Sequence, residues 1–272
     1  MSRTTEGMRR LVRICLTCLP PSLCLLANCG PTGDPTLEEM IDHRYPIDSK
    51  ATLSVRNRDG SIRVYGAAGG TREVQVEAIK KAYSVERLKA ISVQIFATRD
   101  SVSIETIYPD DSNPGFSDRS GTVDYVIVVP RTIRILKLEL ANGEVLLEEM
   151  RGEEAHANLS NGRLFAHNCF GNLALHLGTG NLSIVYEWWE KQEFSIRSTI
   201  EEGNAFAYFP GDATFHLIAH TETGQIGNDF EEKEQRHVEP VNKVDMLVGN
   251  GGKTTFQFEC RDGNIKISEH NP

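Results

Sequence analysis

The sequence predicts an all-β protein, a β-solenoid (β-helix-like) of stacked, glycine-punctuated repeats of about 19 residues with an N-terminal β-rich capping region. Three observations carry this. A pattern of glycine followed by alternating aliphatic or small residues recurs as Gly143-Glu-Val-Leu-Leu147, Gly162-Arg-Leu-Phe-Ala166, Gly180-Asn-Leu-Ser-Ile184, Gly203-Asn-Ala-Phe-Ala207 and Gly263-Asn-Ile-Lys-Ile267. The first four glycines are 19, 18 and 23 residues apart, and Gly224 follows after another 21. A second set of alternating runs, Ala155-Ala157-Leu159, Leu173-Leu175-Leu177 and Ala213-Phe215-Leu217, falls between them.

A period of two sends Leu173, Leu175 and Leu177 to one face of a strand and their neighbours to the other, so one face is core and one is wet. Asn142-Gly143 and Asn161-Gly162 supply residues that tolerate positive φ at corners. A unit of this size cannot bury its apolar face alone, so successive units must associate. Upstream, Ala51 to Arg56, Ser61 to Tyr65, Glu73 to Ala78, Ile91 to Ala97, Ser101 to Ile107 and Thr122 to Val129 read as six further strands. Ser84 to Ala90 reads as a short helix and Asp110 to Gly121 as a polar loop. An antiparallel sandwich is the rival architecture, because it also places strands every 8 to 12 residues.

The N-terminus has the order of a secretory signal. Arg3, Arg9, Arg10 and Arg13 precede an almost uncharged run from Leu16 to Ala27, which Pro20 and Pro21 make unfit for a spanning helix. Leu26-Ala27-Asn28-Cys29 resembles the lipobox of bacterial lipoproteins, with Asn28 departing from the small residue usual before the cysteine. The expected organisation is therefore a signal peptide over residues 1–28, lipidation at Cys29, a Pro- and Gly-bearing tether over 29–48, and a β-repeat domain over 49–272, with N-terminal strands to 130 and the repeat stack from 131. Localisation follows as exported and membrane-anchored in the bacterial cell envelope, through an N-terminal lipid.

Residues 1–28 hold four of the 29 basic and one of the 38 acidic side chains, so the remainder carries 25 against 37, a net charge of −12. That sign excludes nucleic acid as an expected partner, since phosphate binding needs clustered Lys and Arg. Outside the signal and its lipidation site, only Cys169 and Cys260 remain, so no CxxC zinc site is expected there. The spacing is compatible with a disulfide between them and with two buried free thiols, the simpler reading.

The glycine-punctuated strands, the Val123-Asp-Tyr-Val-Ile-Val-Val-Pro130 segment leading to Leu138-Glu-Leu-Ala-Asn-Gly-Glu-Val145, and the closing Val248-Gly-Asn-Gly-Gly252 to Ile267 resemble the bacterial "putative adhesin" family of β-strand repeat domains. The resemblance implies an exported or lipidated scaffold of stacked strands and brings no catalytic residues.

Several residue groups are of types that carry chemistry. His216-Leu-Ile-Ala-His220 has the spacing of a zinc-protease helix but lacks its glutamate and lies in a strand-like run, where residues four apart are ~13 Å from each other. His156, His167 and His176 fall on neighbouring repeats and read as solvent-facing. Glu148-Glu149, Glu153-Glu154 and Glu201-Glu202 read as solvated, because adjacent strand residues point to opposite faces. Asp110, Asp111, Asn113 and Asp118 share a loop without the order of a calcium motif. Tyr186, Trp188 and Trp189 are the candidate ligand contacts, set against the plainer reading of a bulge whose ring covers the core. No catalytic residue, metal site or cofactor is expected. The function expected is a non-catalytic envelope lipoprotein that contacts protein or glycan; a polysaccharide-active β-helix enzyme is the alternative.

Overall fold

The computed structural model describes residues 36–48, 50–109, 120–230 and 241–270. These contain fifteen strands and one short helix. In chain order they are β1 (Leu37–Pro46), β2 (Thr52–Ala67), β3 (Glu73–Ala82), α1 (Val85–Ala90), β4 (Ser92–Ala97), β5 (Ser101–Ile107), β6 (Thr122–Pro130), β7 (Arg134–Glu148), β8 (Ala155–His167), β9 (Leu173–Val185), β10 (Ser195–Pro210), β11 (Phe215–Thr223), β12 (Ile226–Asn228), β13 (Lys243–Val248), β14 (Thr255–Asp262) and β15 (Ile265–His270). The polar loop read over Asp110 to Gly121 lies almost wholly outside the described residues, as do the signal peptide and Cys29.

The β-solenoid expected from the glycine spacing is not what the chain forms. The strands join in one open, mixed sheet with the order β1-β3-β6-β2-β7-β8-β9-β10-β14-β11-β13 and with β4, β5, β12 and β15 attached off that path. β2 sits between β6 and β7, and β14 sits between β10 and β11, so the order in the sheet departs from the order in the chain. β1–β3, β3–β6, β4–β5 and β11–β13 pair antiparallel. The N-terminal strands accordingly form no separate cap but continue the same sheet. Glycine spacing records where a strand bends; it carries no information about which strand lies alongside, and that pairing decides the architecture.

What the glycines do is visible in the burial pattern. β8 buries Ala155, Ala157 and Leu159, then Leu164 and Ala166, so the inward positions change from odd to even across Asn161-Gly162. The same change of phase occurs in β7 between Leu140 and Val145, in β9 between Leu177 and Leu182, and in β10 between Ile200 and Ala205. A straight strand would send its second arm to solvent. The turn at the glycine instead returns both arms to one continuous core, which runs from Leu53 and Val55 through Leu164 and Ile184 to Phe256 and Ile267. Each such fully buried Leu, Ile or Val stabilises the fold by roughly 1.5–3 kcal/mol relative to its exposed state.

These bends stack in register. Gly60, Gly143, Gly162, Gly180 and Gly203 are successive cross-strand partners in parallel pairs. At Gly162 φ is +137°, and a Cβ there would lie inside van der Waals contact with the carbonyl oxygen of Gly143. Beside this seam, Asn142 Nδ2 donates to Asp59 Oδ1 at 2.8 Å and Asn161 Nδ2 donates to Asn142 Oδ1 at 3.1 Å, so the residues before the glycines are tied across strands as well.

The tether expected over 29–48 is also corrected, because Leu37–Pro46 is the edge strand β1. Its paired ladder to β3 runs from Leu37↔Ala82 to Pro46↔Glu73. The hydrophobic signal is faint, since Leu37, Ile41 and Tyr45 share a face with Glu39 and His43 between them. Charge pairs with β3 support the strand: Glu39 with Lys80 at 2.9 Å, Glu38 with Lys81 at 3.7 Å and Arg44 with Glu73 at 3.6 Å. Lys80 is buried and its Nζ also donates to the carbonyls of Leu88 and Ile91, at the C-terminal end of α1, where a cation is favoured. Ser84 caps the other end, its hydroxyl accepting from the Arg87 amide at 3.2 Å.

The glycine seam makes a direct prediction. Gly162→Ala should destabilise the protein in urea by roughly 2–4 kcal/mol through steric overlap and a disfavoured φ. Gly227→Ala, at a site where an added Cβ meets nothing within 4 Å, should change stability by no more than about 0.5 kcal/mol. Equal denaturation midpoints for the two variants would remove the seam as the controlling constraint.

Candidate functional site

Two surfaces carry the site residues, and they differ in how far their polar groups are already engaged. The first is the far end of β9 and the segment after it, where the sequence places Tyr186, Trp188 and Trp189. Tyr186 is wholly buried and its hydroxyl donates to the Cys169 carbonyl, which removes it from any surface contact. Burial also pushes its hydroxyl pKa well up. Trp189 turns inward as well, its ring centroid 5.6 Å from Tyr186, 5.8 Å from Phe215 and 6.2 Å from Phe194 and Phe256. Its indole N–H is buried without an acceptor among the described residues, which marks the ring as held there by packing. Trp188 is the exposed one of the three, at 39%, and Trp189 is half-buried. Both tryptophans follow the end of β9 and pack on Phe170, at 6.2 Å and 6.4 Å, and they differ in how far they are covered.

Trp188 is engaged in turn. Its Nε1 donates to Glu190 at 3.1 Å, and Glu190 accepts a two-pronged pair from Arg151, at 2.5 Å and 2.6 Å, plus Gln192 Nε2 at 2.6 Å. Arg151 lies 4.9 Å over the Phe170 ring. The Arg151 hydrogen bonds hold the Glu190 carboxyl down at about 2, against the opposing effect of its partial burial. This cluster clamps the segment after β9 onto the core and leaves Trp188 as one aromatic face beside Glu187, Asp212 and Glu269.

The second surface was not anticipated from the sequence. It lies on the outward face of β7, β8, β9 and β10. β7 carries one residue more than its neighbours here: Ile135 and Leu138 oppose Ala155 and Ala157 of β8, and Ile135 and Lys137 oppose Leu53 and Ser54 of β2. This β-bulge puts two consecutive residues, Leu136 and Lys137, on the outside, and Leu136 is left 43% exposed. The register then aligns two outward rows. Glu139, Asn158, His176 and Thr199 are successive partners in one; His156, Ala174 and Arg197 are successive partners in the next. With strands ~4.8 Å apart, His156 and Arg197 stand ~10 Å from each other with only a methyl group between them. The bulge, the long flanking side chains and the short Ala174 together leave a groove of about 410 Å³, a size in the range of small-ligand sites.

At one side of the groove the charges are spent. Glu139 accepts from Arg56 Nε at 2.9 Å and pairs with Lys137 Nζ at 2.5 Å. Burial raises the Glu139 pKa, but the hydrogen bonds from Lys137 and Arg56 outweigh it and hold the carboxyl below the usual range. His156 Nε2 lies 2.9 Å from Glu154, which also pairs with Arg134 at 2.6 Å. At the other side the groups are unspent. Arg197 uses Nε on Gln257 Oε1 at 3.1 Å and meets no carboxylate among the described residues. The side chains of Asn158, His176 and Thr199 have no hydrogen-bond partner among the described residues.

The remaining sequence candidates disperse. His167 lies at the opposite end of β8 from His156, between Glu148 at 3.6 Å and Glu187 at 3.4 Å. His216 and His220 reach different carboxylates, Asp245 at 2.7 Å and Glu259 at 3.3 Å. Glu201 pairs with Arg261. Among the described residues no group of three or more His, Cys, Asp or Glu is placed to hold a metal ion. Cys169 and Cys260 are both buried free thiols, and burial pushes Cys169 up to about 12. Asp110, Asp111, Asn113 and Asp118 lie outside the described residues.

The class defined so far is an all-β protein built on one bent, mixed sheet. No family model matches the chain and no curated protein matches it. Among solved structures it is similar to a "putative cell adhesion protein" from Clostridium sporogenes, with a TM-score of 0.50 and 15% identity over 87% of this chain and 100% of the other. That likeness shows a shared fold. A "putative adhesin" from Bacteroides fragilis, 13% identical over 85% of this chain and 97% of its own, superposes with a TM-score of 0.27. A "putative lipid binding protein" from Parabacteroides distasonis, 8% identical over the same shares, superposes at 0.28. No helix of the described residues is long and apolar enough to cross a membrane.

The Arg151–Glu190 clamp gives a pH prediction. Because the folded pKa of Glu190 lies below its ordinary value, its stabilising contribution is full above about pH 4.5 and is lost as pH falls toward 2. The melting temperature of Glu190→Gln should therefore lie below that of the unmodified protein near about pH 6, and the two should converge by about pH 2. A gap that is constant across this range would show that the ionised pair contributes nothing.

Proposed function

We propose that the chain is a non-catalytic, adhesin-like scaffold of the bacterial cell envelope, lipid-anchored through Cys29, whose outward sheet face contacts protein or glycan. The observation that carries this reading is the contrast between the two sides of the β7–β10 face. Its carboxylates are neutralised by adjacent cations, whereas Arg197, Asn158, His176 and Thr199 present free hydrogen-bonding capacity to solvent. The fold shared with the Clostridium sporogenes protein and the export signal read in residues 1–28 support the same placement outside the cytoplasm.

Carbohydrate hydrolysis makes a different demand. A general acid must keep its proton near neutral pH, which requires a raised carboxyl pKa. Glu139, Glu154 and Glu190 are all shifted the other way by their cationic or hydrogen-bonding partners. These carboxylates are suited to holding side chains in place.

Two measurements test the proposal. The full chain expressed in a bacterium should enter the detergent phase on Triton X-114 partition and incorporate labelled palmitate, and Cys29→Ser should abolish both; a detergent-phase, labelled Cys29→Ser chain would overturn the anchor. On a glycan array and against purified envelope polysaccharides the protein should bind without generating reducing ends. Measured turnover would overturn the non-catalytic reading.

A further inference from the structure

We infer that the β7–β10 groove is a saccharide site selective for a sugar bearing a carboxylate, with Arg197 taking the carboxylate and Asn158, His176 and Thr199 taking ring hydroxyls. The inference rests on the proposed contact function and assigns it a place and a ligand class.

Lys137 and His156, the basic side chains across the groove from Arg197, face Glu139 and Glu154 respectively, whereas the Arg197 guanidinium is left without a carboxylate among the described residues. Its Nε is fixed on Gln257, which leaves the outer pair of nitrogens to offer the two parallel donors that suit a carboxylate. A single unneutralised cation matches one singly charged group. A polyanion is disfavoured, because the chain as a whole carries a net charge of −9.

The uncharged groups complete the match. Asn158 and Thr199 each both donate and accept, and His176 adds two ring nitrogens, which suits the hydroxyls of a sugar. All three lie in one cross-strand row, one residue per strand. Parallel to it, the short Ala174 opens the space in which a ring can sit, and the exposed Leu136 offers an apolar edge for the C–H face of the ring. The groove of about 410 Å³ accommodates one or two sugar units.

The test uses the full-length protein on an array of uronic-acid and sialic-acid glycans, each printed beside its carboxyl-reduced counterpart. Affinity for an acidic glycan should exceed that for the reduced partner by about tenfold or more. Arg197→Gln should erase that preference while leaving the melting temperature unchanged. Ala174→Trp, which fills the groove from an outward position, should abolish both. Equal binding of acidic and reduced glycans, or a preference that survives Arg197→Gln, overturns the assignment. Glycan binding that survives Ala174→Trp overturns the groove while the proposed contact function stands; no binding to any glycan overturns the saccharide assignment and leaves protein as the contact of that function.

Discussion

The approach of one glycine backbone onto the next is the constraint on which the rest of this structure depends. Where Gly162 stacks on Gly143 there is no room for a side chain, and the strand turns through a φ that other residues avoid. Because every long strand from β7 to β10 makes this turn at the same register position, each can bury both of its arms in one core. A side chain at the seam would separate the backbones, break the flanking hydrogen-bonded ladder and shift the inward phase of the second arm. Core packing, parallel register and bend are thus one constraint expressed at three levels.

That constraint also orders the outside. Fixing which residues point inward fixes which point outward, and parallel register lines them up in rows, so that Glu139, Asn158, His176 and Thr199 become neighbours although they are scattered over sixty residues of chain. Such rows would ordinarily make a flat polar face. The bulge at Leu136 is the local departure: it adds a residue to one strand only, lifts an apolar side chain and opens a groove beside Ala174. A core-side regularity and one outer-face irregularity together define the candidate site.

Much of this was legible locally and little of it globally. Period-two runs located most of the strands, the Asn-Gly pairs located bends, and Ser84 located the start of α1, because each of these depends on nearest neighbours in the chain. The solenoid expectation failed because the insertion of β14 between β10 and β11 and of β2 between β6 and β7 depends on long-range pairing that no local period encodes. β1 escaped notice because charge pairing with Lys80 and Lys81 does for it what apolar alternation does for other strands. Among the ligand candidates, Tyr186 and Trp189 were marked by residue type, yet type does not tell a buried ring from an exposed one. The groove was invisible for the opposite reason, since Arg197 and His176 lie on separate strands and acquire meaning only when register brings them together.

The two surfaces then separate on a physical criterion. Around Trp188 both Nη atoms of Arg151, Gln192 and the indole N–H all converge on Glu190, with the buried Arg151 Nε left without a partner among the described residues, and a ligand would have to break charge-assisted hydrogen bonds before making its own. In the β7–β10 groove, binding replaces water on Arg197, Asn158, His176 and Thr199 without dismantling a protein contact beyond the strands that hold them. Exposed aromatic area alone favours the first surface. The desolvation balance favours the second, because a site retains affinity only to the extent that its hydrogen bonds are not already made elsewhere. The seam of glycines holds the second site on four hydrogen-bonded strands, so little ordering is required when a ligand arrives, and the selectivity of the groove follows from which of its charges the sheet has left unpaired.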